Sequence, residues 1–368
     1  MRYKYSDKEK RTCRTWVGFL FFSYTFLVIL GNLNLRSAVF LSRFERLGSI
    51  QFTWSLLGIG SCVFFGFFLP KIPWKWVAVV GIPCVFFSMI GLRWFGDTVG
   101  GARRWFETPF GSIQPSELAK PVWVIGISFI LSSMSIRILG LVVSGFLALG
   151  VAFLVFLEPD LGTSLIFLFM WVVMGFFYVR RLFRFFGILI IMGMIGLSVG
   201  LPQLKEYQWL RLRAFIQPHA HPDTYYHTQQ SKILVGSGGL TGSGYMRGEG
   251  NIYGFIPTDH TDFVLSVYAE EWGWFGMLVF LGLWLLFLFA LIKLIGFSEG
   301  RGKYLLVGVY SIFFFQFLMN TAMVLGVAPV TGIPSPFFSY GGSSMLTSSI
   351  LVGLSTHVAL NPEEPGER

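Results

Sequence analysis

Asp262 closes a short polar run, Pro257-Thr-Asp-His-Thr-Asp-Phe263, that gives way to a long apolar stretch. A carboxylate half-buried at such a boundary has its charged form disfavoured, which moves its pKa up towards that of a working base. The position equally suits a cap for a helix beginning near Phe263, and the residues alone leave these readings level. His260 stands beside it in the same run. A second acid, Asp160, follows Glu158-Pro159 and precedes Leu-Gly-Thr-Ser164. It can open a helix, where the dipole favours a carboxylate, or face a cavity. Glu117 and Lys120, in Gln114-Pro-Ser-Glu-Leu-Ala-Lys120, are three apart and share a helix face. Ionisable groups at membrane depth are costly, so the pair either orients two helices or serves a function. Arg104, in Gly101-Ala-Arg-Arg-Trp-Phe, and Arg211, in Arg211-Leu-Arg-Ala-Phe, can anchor an interface or meet a phosphate.

These groups need elements to position them, and composition says that lipid surrounds those elements. Hydrophobic residues make up 54% of the 368 and charged residues 13%, with 41 Phe and 12 Trp, more than one globular core can hold. Mean hydropathy is +0.65. The net charge of +9 does not indicate nucleic acid, because Lys and Arg are scattered between apolar spans. An anionic membrane surface and an anionic substrate account for the excess. Cys13, Cys62 and Cys84 form no even framework, so no disulfide is expected. The basic N-terminal stretch before the first apolar run has no small-residue cleavage site after it and reads as an uncleaved first span.

About 20 apolar residues cross a bilayer. The chain accordingly predicts an all-α polytopic membrane protein with about ten transmembrane helices, near 14–31, 50–69, 76–92, 117–134, 136–157, 161–179, 184–201, 262–292, 304–327 and 343–360. Glu158-Pro159-Asp160 splits two spans, Pro being at home in a first helical turn. Lys71, Lys75, Arg137, Arg180, Arg181, Arg184, Arg301 and Lys303 fall in loops on the side of the N-terminal tail, while 158–160 and 328–342 hold no Lys or Arg. The positive-inside rule then predicts both termini in the cytoplasm. A long extracytoplasmic segment, 202–261, separates helices 7 and 8, and a connection of that length is usually functional.

That segment carries Tyr226-His-Thr-Gln-Gln-Ser231, with Gln230 and Ser231, and then Gly236-Ser-Gly-Gly-Leu-Thr-Gly-Ser-Gly244. The glycine run matches no nucleotide-binding fingerprint; it implies tight turns, or backbone N–H groups turned towards an anion. His219, His221, His227 and His260 show no standard zinc spacing. The last constellation, Pro329-Val-Thr-Gly-Ile-Pro-Ser-Pro-Phe-Phe-Ser-Tyr-Gly-Gly-Ser-Ser344, is a rigid non-helical turn able to line a mouth or groove.

Taken together, Gly-Ala-x-Arg-Trp, Gln-Pro-Ser-Glu-x-Ala-Lys, Gln-Ser, Gly-Ser-Gly-Gly-Leu, His-Thr-Asp-Phe and Pro-Val-Thr-Gly-Ile-Pro-x-Pro-Phe-x-Ser-Tyr-Gly-Gly-Ser-Ser resemble the SEDS (shape, elongation, division and sporulation) proteins over roughly residues 30–360. Asn32-Leu-Asn-Leu35 and Ala269-Glu-Glu-Trp-Gly273 are more similar to the RodA (elongation) branch than to the FtsW (division) branch. The resemblance implies one SEDS-type membrane domain over 1–368, with helices 1–7 in 14–201, the large segment 202–261, helices 8–10 in 262–360 and a cytoplasmic tail from 361. It implies a peptidoglycan glycosyltransferase in the bacterial inner membrane that polymerises lipid II into β-1,4 glycan for cell elongation and shape, with a class B penicillin-binding protein as partner. Asp262 then matches the family's catalytic aspartate. Arg104, Arg211, Glu117, Lys120, Asp160, Gln230, Ser231 and His260 fall in its motifs as substrate-binding candidates. Two departures stand out: Pro257-Thr258 where the family has Pro-Glu, and Ser243 where it has Lys.

Joining a donor with an α anomeric bond into a β-1,4 product requires inversion by direct attack. Such attack needs a base for the acceptor's 4-hydroxyl and positive charge at the departing diphosphate. Asp262 is the base in this reading, with Arg211, Arg104 and Lys120 as candidates for the diphosphate. A divalent cation held by Asp262 is the other way to neutralise that charge. The rival readings are a lipid II flippase or transporter, to which paired charges at membrane depth are also suited, a division-type polymerase, and a scaffold for a partner enzyme.

Overall fold

Ser6 starts the first helix, α1 (Asp7–Ala38), with a capping box: its hydroxyl accepts from the Glu9 N–H while the Glu9 carboxylate accepts from the Ser6 N–H. From Trp16 to Leu30 α1 is apolar almost all round. Leu20, Tyr24, Leu27 and Leu35 are buried, whereas Phe19, Phe22, Phe26 and Ile29 stay exposed on the other face. A helix apolar on both faces belongs in lipid. The computed structural model describes residues 6–40, 45–99, 102–108, 111–179, 182–252 and 261–362.

The chain continues as α2 (Arg46–Phe68), α3 (Trp74–Phe95), α4 (Pro115–Ser133), α5 (Arg137–Leu157), α6 (Leu161–Tyr178) and α7 (Leu182–Gly200). Two short helices, α8 (Glu206–Ile216) and α9 (Pro222–Ser237), occupy the long segment. The last three are α10 (Val264–Phe297), α11 (Gly300–Val324) and α12 (Gly342–Leu360). Helices stand at all ten expected positions. Among the described residues, eight of them are long and apolar enough to cross a membrane. In α4 the charges of Glu117 and Lys120 dilute the apolar run.

One small sheet interrupts this helical chain, and the all-helical expectation did not include it. Strands β1 (Asp97–Val99), β2 (Ala102–Thr108) and β3 (Gly111–Ile113) pair antiparallel in that order, with Asp97 opposite Trp105 and Phe106 opposite Ile113. The period-2 alternation of β2 turns Arg104 to the opposite side from Arg103 and Trp105.

Close helix packing follows the small residues. Gly58 of α2 lies against Ser349 of α12, and Gly66 against Thr356. The Tyr24 hydroxyl of α1 donates to Ser349 Oγ at 2.8 Å. Small side chains let backbones approach where lipid gives no hydrophobic drive between helices. The proline-rich turn after α11 is held differently. Its Phe337 and Phe338 plunge into an aromatic core, Phe337 stacked on Trp284 at 6.0 Å and Phe338 against Phe280 at 4.9 Å. Both rings are at most 2% exposed. Each such ring pair adds about 0.5–1.5 kcal/mol beyond its buried area, so residues 329–336 leave a fixed anchor.

Candidate functional site

Four residues of that turn, Val330 to Ile333, gather the predicted groups. Gly332 has φ 72°, the left-handed region, and a Cβ there would lie 3.7 Å from Asp262 Oδ2. The left-handed backbone favours glycine at this position, which lies directly beside the carboxylate. On the other flank, a Cβ at Gly162 would come within 2.6 Å of Ile333 Cγ1 and 2.8 Å of the Thr331 carbonyl. The start of α6, with Asp160, therefore abuts the same strip. Arg211 Nη1 donates to the Val330 carbonyl at 3.3 Å, and its guanidinium lies 5.7 Å over the Tyr207 ring. Tyr207 in turn donates from its hydroxyl to the Pro159 carbonyl at 2.9 Å, so α8 bridges the Asp160 turn and the strip.

Asp160 caps α6, accepting from Thr163 N–H at 3.0 Å and from the Thr163 hydroxyl at 3.0 Å. It also accepts from Gln114 Nε2 at 3.0 Å, and Arg104 Nη1 stands 4.0 Å away. Arg104 spends its other nitrogens on the turn itself: Nε donates to the Glu158 carbonyl at 2.8 Å and Nη2 to the Pro159 carbonyl. It acts on this turn as a clasp between the sheet and α6. Asp262 is not the cap of α10; that place falls to Phe263, which makes no side-chain cap bond.

Glu158 is the least comfortable acid in the group. It is 7% exposed, and neither carboxylate oxygen has a hydrogen-bond partner among the described residues. Burial, and then the charge of Asp160, push its pKa up to about 8 against the opposing pull of Arg104. The folded protein thus holds a proton that the unfolded chain releases near pH 4.5. The folded state binds more protons across that window, so stability falls as pH rises from about 4.5 to 8. Glu158→Gln keeps the shape and removes the titration. Thermal unfolding in detergent should show the variant level with the parent at pH about 4.5 and more stable above pH about 8, by roughly 2–4 kcal/mol. Equal pH slopes in the two proteins would refute this account of Glu158.

Glu117 and Lys120 lie one turn and two turns into α4 from Gln114 and face each other, Lys120 Nζ donating to Glu117 Oε1 at 2.6 Å. They are 3% and 1% exposed. Lys120 is committed to this pair. Ser231 is buried and pins α9 to the end of α11, its hydroxyl donating to the Val324 carbonyl at 2.8 Å. Gln230 is partly exposed on α9. His260, with Thr258 and Asp259, lies outside the described residues. The structure therefore brings together Asp262, Arg211, Arg104 and Asp160, keeps Glu117 and Lys120 paired within α4, and turns Ser231 inward.

The glycine run has a backbone task. Helix α10 is broken at Gly273 (φ 59°, ψ −159°). Residues 239–244 fill the break: Ser243 N–H donates to the Glu270 carbonyl and Gly244 N–H to the Glu271 carbonyl, both at 3.0 Å. In return Trp274 N–H donates to the Gly239 carbonyl at 3.0 Å and Phe275 N–H to that of Leu240 at 3.2 Å. The loop supplies the partners that the interrupted helix lacks, as buried backbone groups require. Of the two sequence readings, the tight turns hold, since the N–H groups of Ser243 and Gly244 point at carbonyls. Any side chain on Gly242 (φ 78°) would strike the Glu271 carbonyl.

Four residues at the site were not among the site candidates, although Gln114 opens one of the motifs and His227 was weighed as a metal ligand. Gln114 and Tyr207 brace the Asp160 turn. His227 stacks on Phe263 at 6.4 Å, and burial, then Arg211, lower its pKa. Asn320, 1% exposed in α11, reaches the backbone of Asp262. Its legible signal is an amide in an apolar span, one turn after Gln316, where polar groups are rare and functional. Among the described residues no three His, Cys, Asp or Glu side chains converge as a metal site.

A bundle of apolar helices that gathers Asp160, Asp262, Arg104 and Arg211 around a rigid turn at one end has the architecture of a polytopic membrane protein. Comparison with known proteins narrows this class. Residues 11–363 match the FtsW, RodA and SpoVE family, described as cell cycle protein. A Treponema pallidum protein named peptidoglycan glycosyltransferase RodA is 40% identical over 170 residues, which covers 44% of this chain and 39% of that protein. A Trichlorobacter lovleyi protein named probable peptidoglycan glycosyltransferase FtsW is 30% identical over 292 residues, 76% of this chain and 75% of its own. A chain in a solved peptidoglycan synthase complex, described as coordinating polymerization and crosslinking, superposes with TM-score 0.77 at 29% identity, covering 92% of this chain and 96% of that one. The chain belongs to the FtsW, RodA and SpoVE family, the SEDS proteins.

Proposed function

We propose that this chain is a RodA-type peptidoglycan glycosyltransferase that polymerises lipid II into β-1,4 glycan strands for elongation and shape. The transferase class rests on the family, whose matched curated members carry that name. The observation that carries the mechanism is the approach of Asp262 Oδ2 to Gly332 in a strip that Arg211 also contacts. Asp262 takes the proton from the acceptor's 4-hydroxyl as that oxygen bonds to the donor's anomeric carbon. The anomeric carbon–oxygen bond breaks, and its electron pair leaves with the diphosphate, which Arg211 receives. A positioned base contributes typically 10²–10⁴ in rate, and fixed cations in a water-poor site add to it. Arg104 and Asp160 shape the wall opposite, and Gln230 and His260 belong to the long segment that completes the proposed substrate site. Glu117 and Lys120 support α4 beneath. A divalent cation at Asp262 is the alternative source of positive charge.

In this reading the site faces the outer side of the cytoplasmic membrane and both termini face the cytoplasm, on the distribution of Lys and Arg in the loops. A class B penicillin-binding protein supplies crosslinking, as the synthase complex with a similar chain suggests. The test is glycan formation on a gel from lipid II and purified protein in detergent. Detergent provides no second leaflet, so a flippase has no task there while a polymerase makes glycan. Protein that is folded yet yields no glycan, alone or with its crosslinking partner, overturns the proposal.

A further inference from the structure

We propose that Asn320 is the positioning residue for Asp262. This inference rests on Asp262 as the base. Asn320 lies one turn before the end of α11 and is 1% exposed. Its Nδ2 carries two protons and uses both: one is donated to the Asp262 carbonyl at 3.0 Å, the other to the Ile333 carbonyl at 2.9 Å. Ile333 is the neighbour of Gly332, beside which the Asp262 carboxylate lies. One amide therefore ties the backbone of the base to the backbone of the surface it faces. Asp262 needs such a tie, because it stands two residues before the first residue of α10.

The side chain suits this task and little else. Its own Oδ1 is buried without a hydrogen-bond partner among the described residues, a cost that an apolar side chain of the same shape would avoid. The two donors outweigh that cost. Leucine shares the branching at Cγ, is somewhat larger and has no donor. Glutamine carries the amide a methylene too far. Serine offers one donor in place of two. Loss of the tie frees the Asp262 backbone from the strip, and misplacement of a reacting group by about 1 Å lowers rate by roughly 10²-fold. Asn320 is too deep to touch substrate, so substrate affinity is spared.

The experiment compares Asn320→Leu and Asn320→Ser with the parent in lipid II polymerisation, in the parent and the Asp262→Asn backgrounds, alongside thermal unfolding. The serine variant adds no volume and keeps the test open should the leucine variant not fold. The expected result is a kcat lower by about 10²-fold with KM changed less than about twofold. In the Asp262→Asn background the same change should move the residual rate by less than about twofold, because residues that act as a unit are not additive. Near-normal kcat in a folded Asn320 variant, with Asp262→Asn inactive, overturns this inference and leaves the base in place. An equal proportional loss in both backgrounds also overturns it, as does a raised KM at unchanged kcat, since either marks a general structural role. Near-normal activity in Asp262→Asn removes the base and this inference with it.

Discussion

Asp262→Asn leaves the protein folded and at its normal membrane level, and lowers lipid II polymerisation by roughly two to four powers of ten, the usual contribution of a positioned base. Asparagine matches the shape of aspartate and caps helices as well as it does. It cannot take up a proton at neutral pH. A capping role would therefore survive the change and a base role would not. The geometry adds weight to the second outcome, because the cap position of α10 is Phe263. The carboxylate lies instead next to Gly332, and the Asp262 backbone is held by Asn320. Asp262→Glu keeps the carboxylate but displaces it by a methylene, so a trace of activity is expected. The measurement is product formed by purified variants at matched protein amounts. An Asp262→Asn rate close to the parent's would move the search to Asp160 or Asp259.

Lys120→Met costs about 3–5 kcal/mol of stability, the usual consequence of leaving one buried charge without its partner. The partner is Glu117, at 2.6 Å, and both side chains are almost wholly enclosed. Glu117 Oε2 already has no hydrogen-bond partner among the described residues, so nothing nearby takes over when Nζ is removed. Glu117→Gln should lose a similar amount by stranding the ammonium. Exchanging the two residues restores opposite charges and should recover part of the loss. Thermal unfolding in detergent and protein level in membranes report this. Singles that unfold at the parent temperature but have lost polymerisation would show that the pair serves the reaction, not the packing of α4.

A good part of this architecture is legible from neighbouring residues alone. Hydropathy and helix length are local properties, so the ten helical positions and the long segment before Asp262 can be read directly. So can the helix start at Asp160, which Pro159 announces and Thr163 completes as a cap. What each charged group faces is not local. Arg104 meets carbonyls 54 and 55 residues away, and Asn320 meets Asp262 across 58. No periodicity encodes such pairings; they exist because Phe337 and Phe338 bury in the aromatic core and fix the strip between α6 and α10. The glycine run shows the same division. Its composition announces tight turns, but only the break of α10 at Gly273 creates the unpaired carbonyls that its N–H groups satisfy. The types and order of the groups, and the i,i+3 pairing of Glu117 with Lys120, were thus determined by sequence, while burial and backbone hydrogen bonding in the folded chain decided that this pair is enclosed, that Arg104 is a clasp, and that Asp262 is turned towards Gly332.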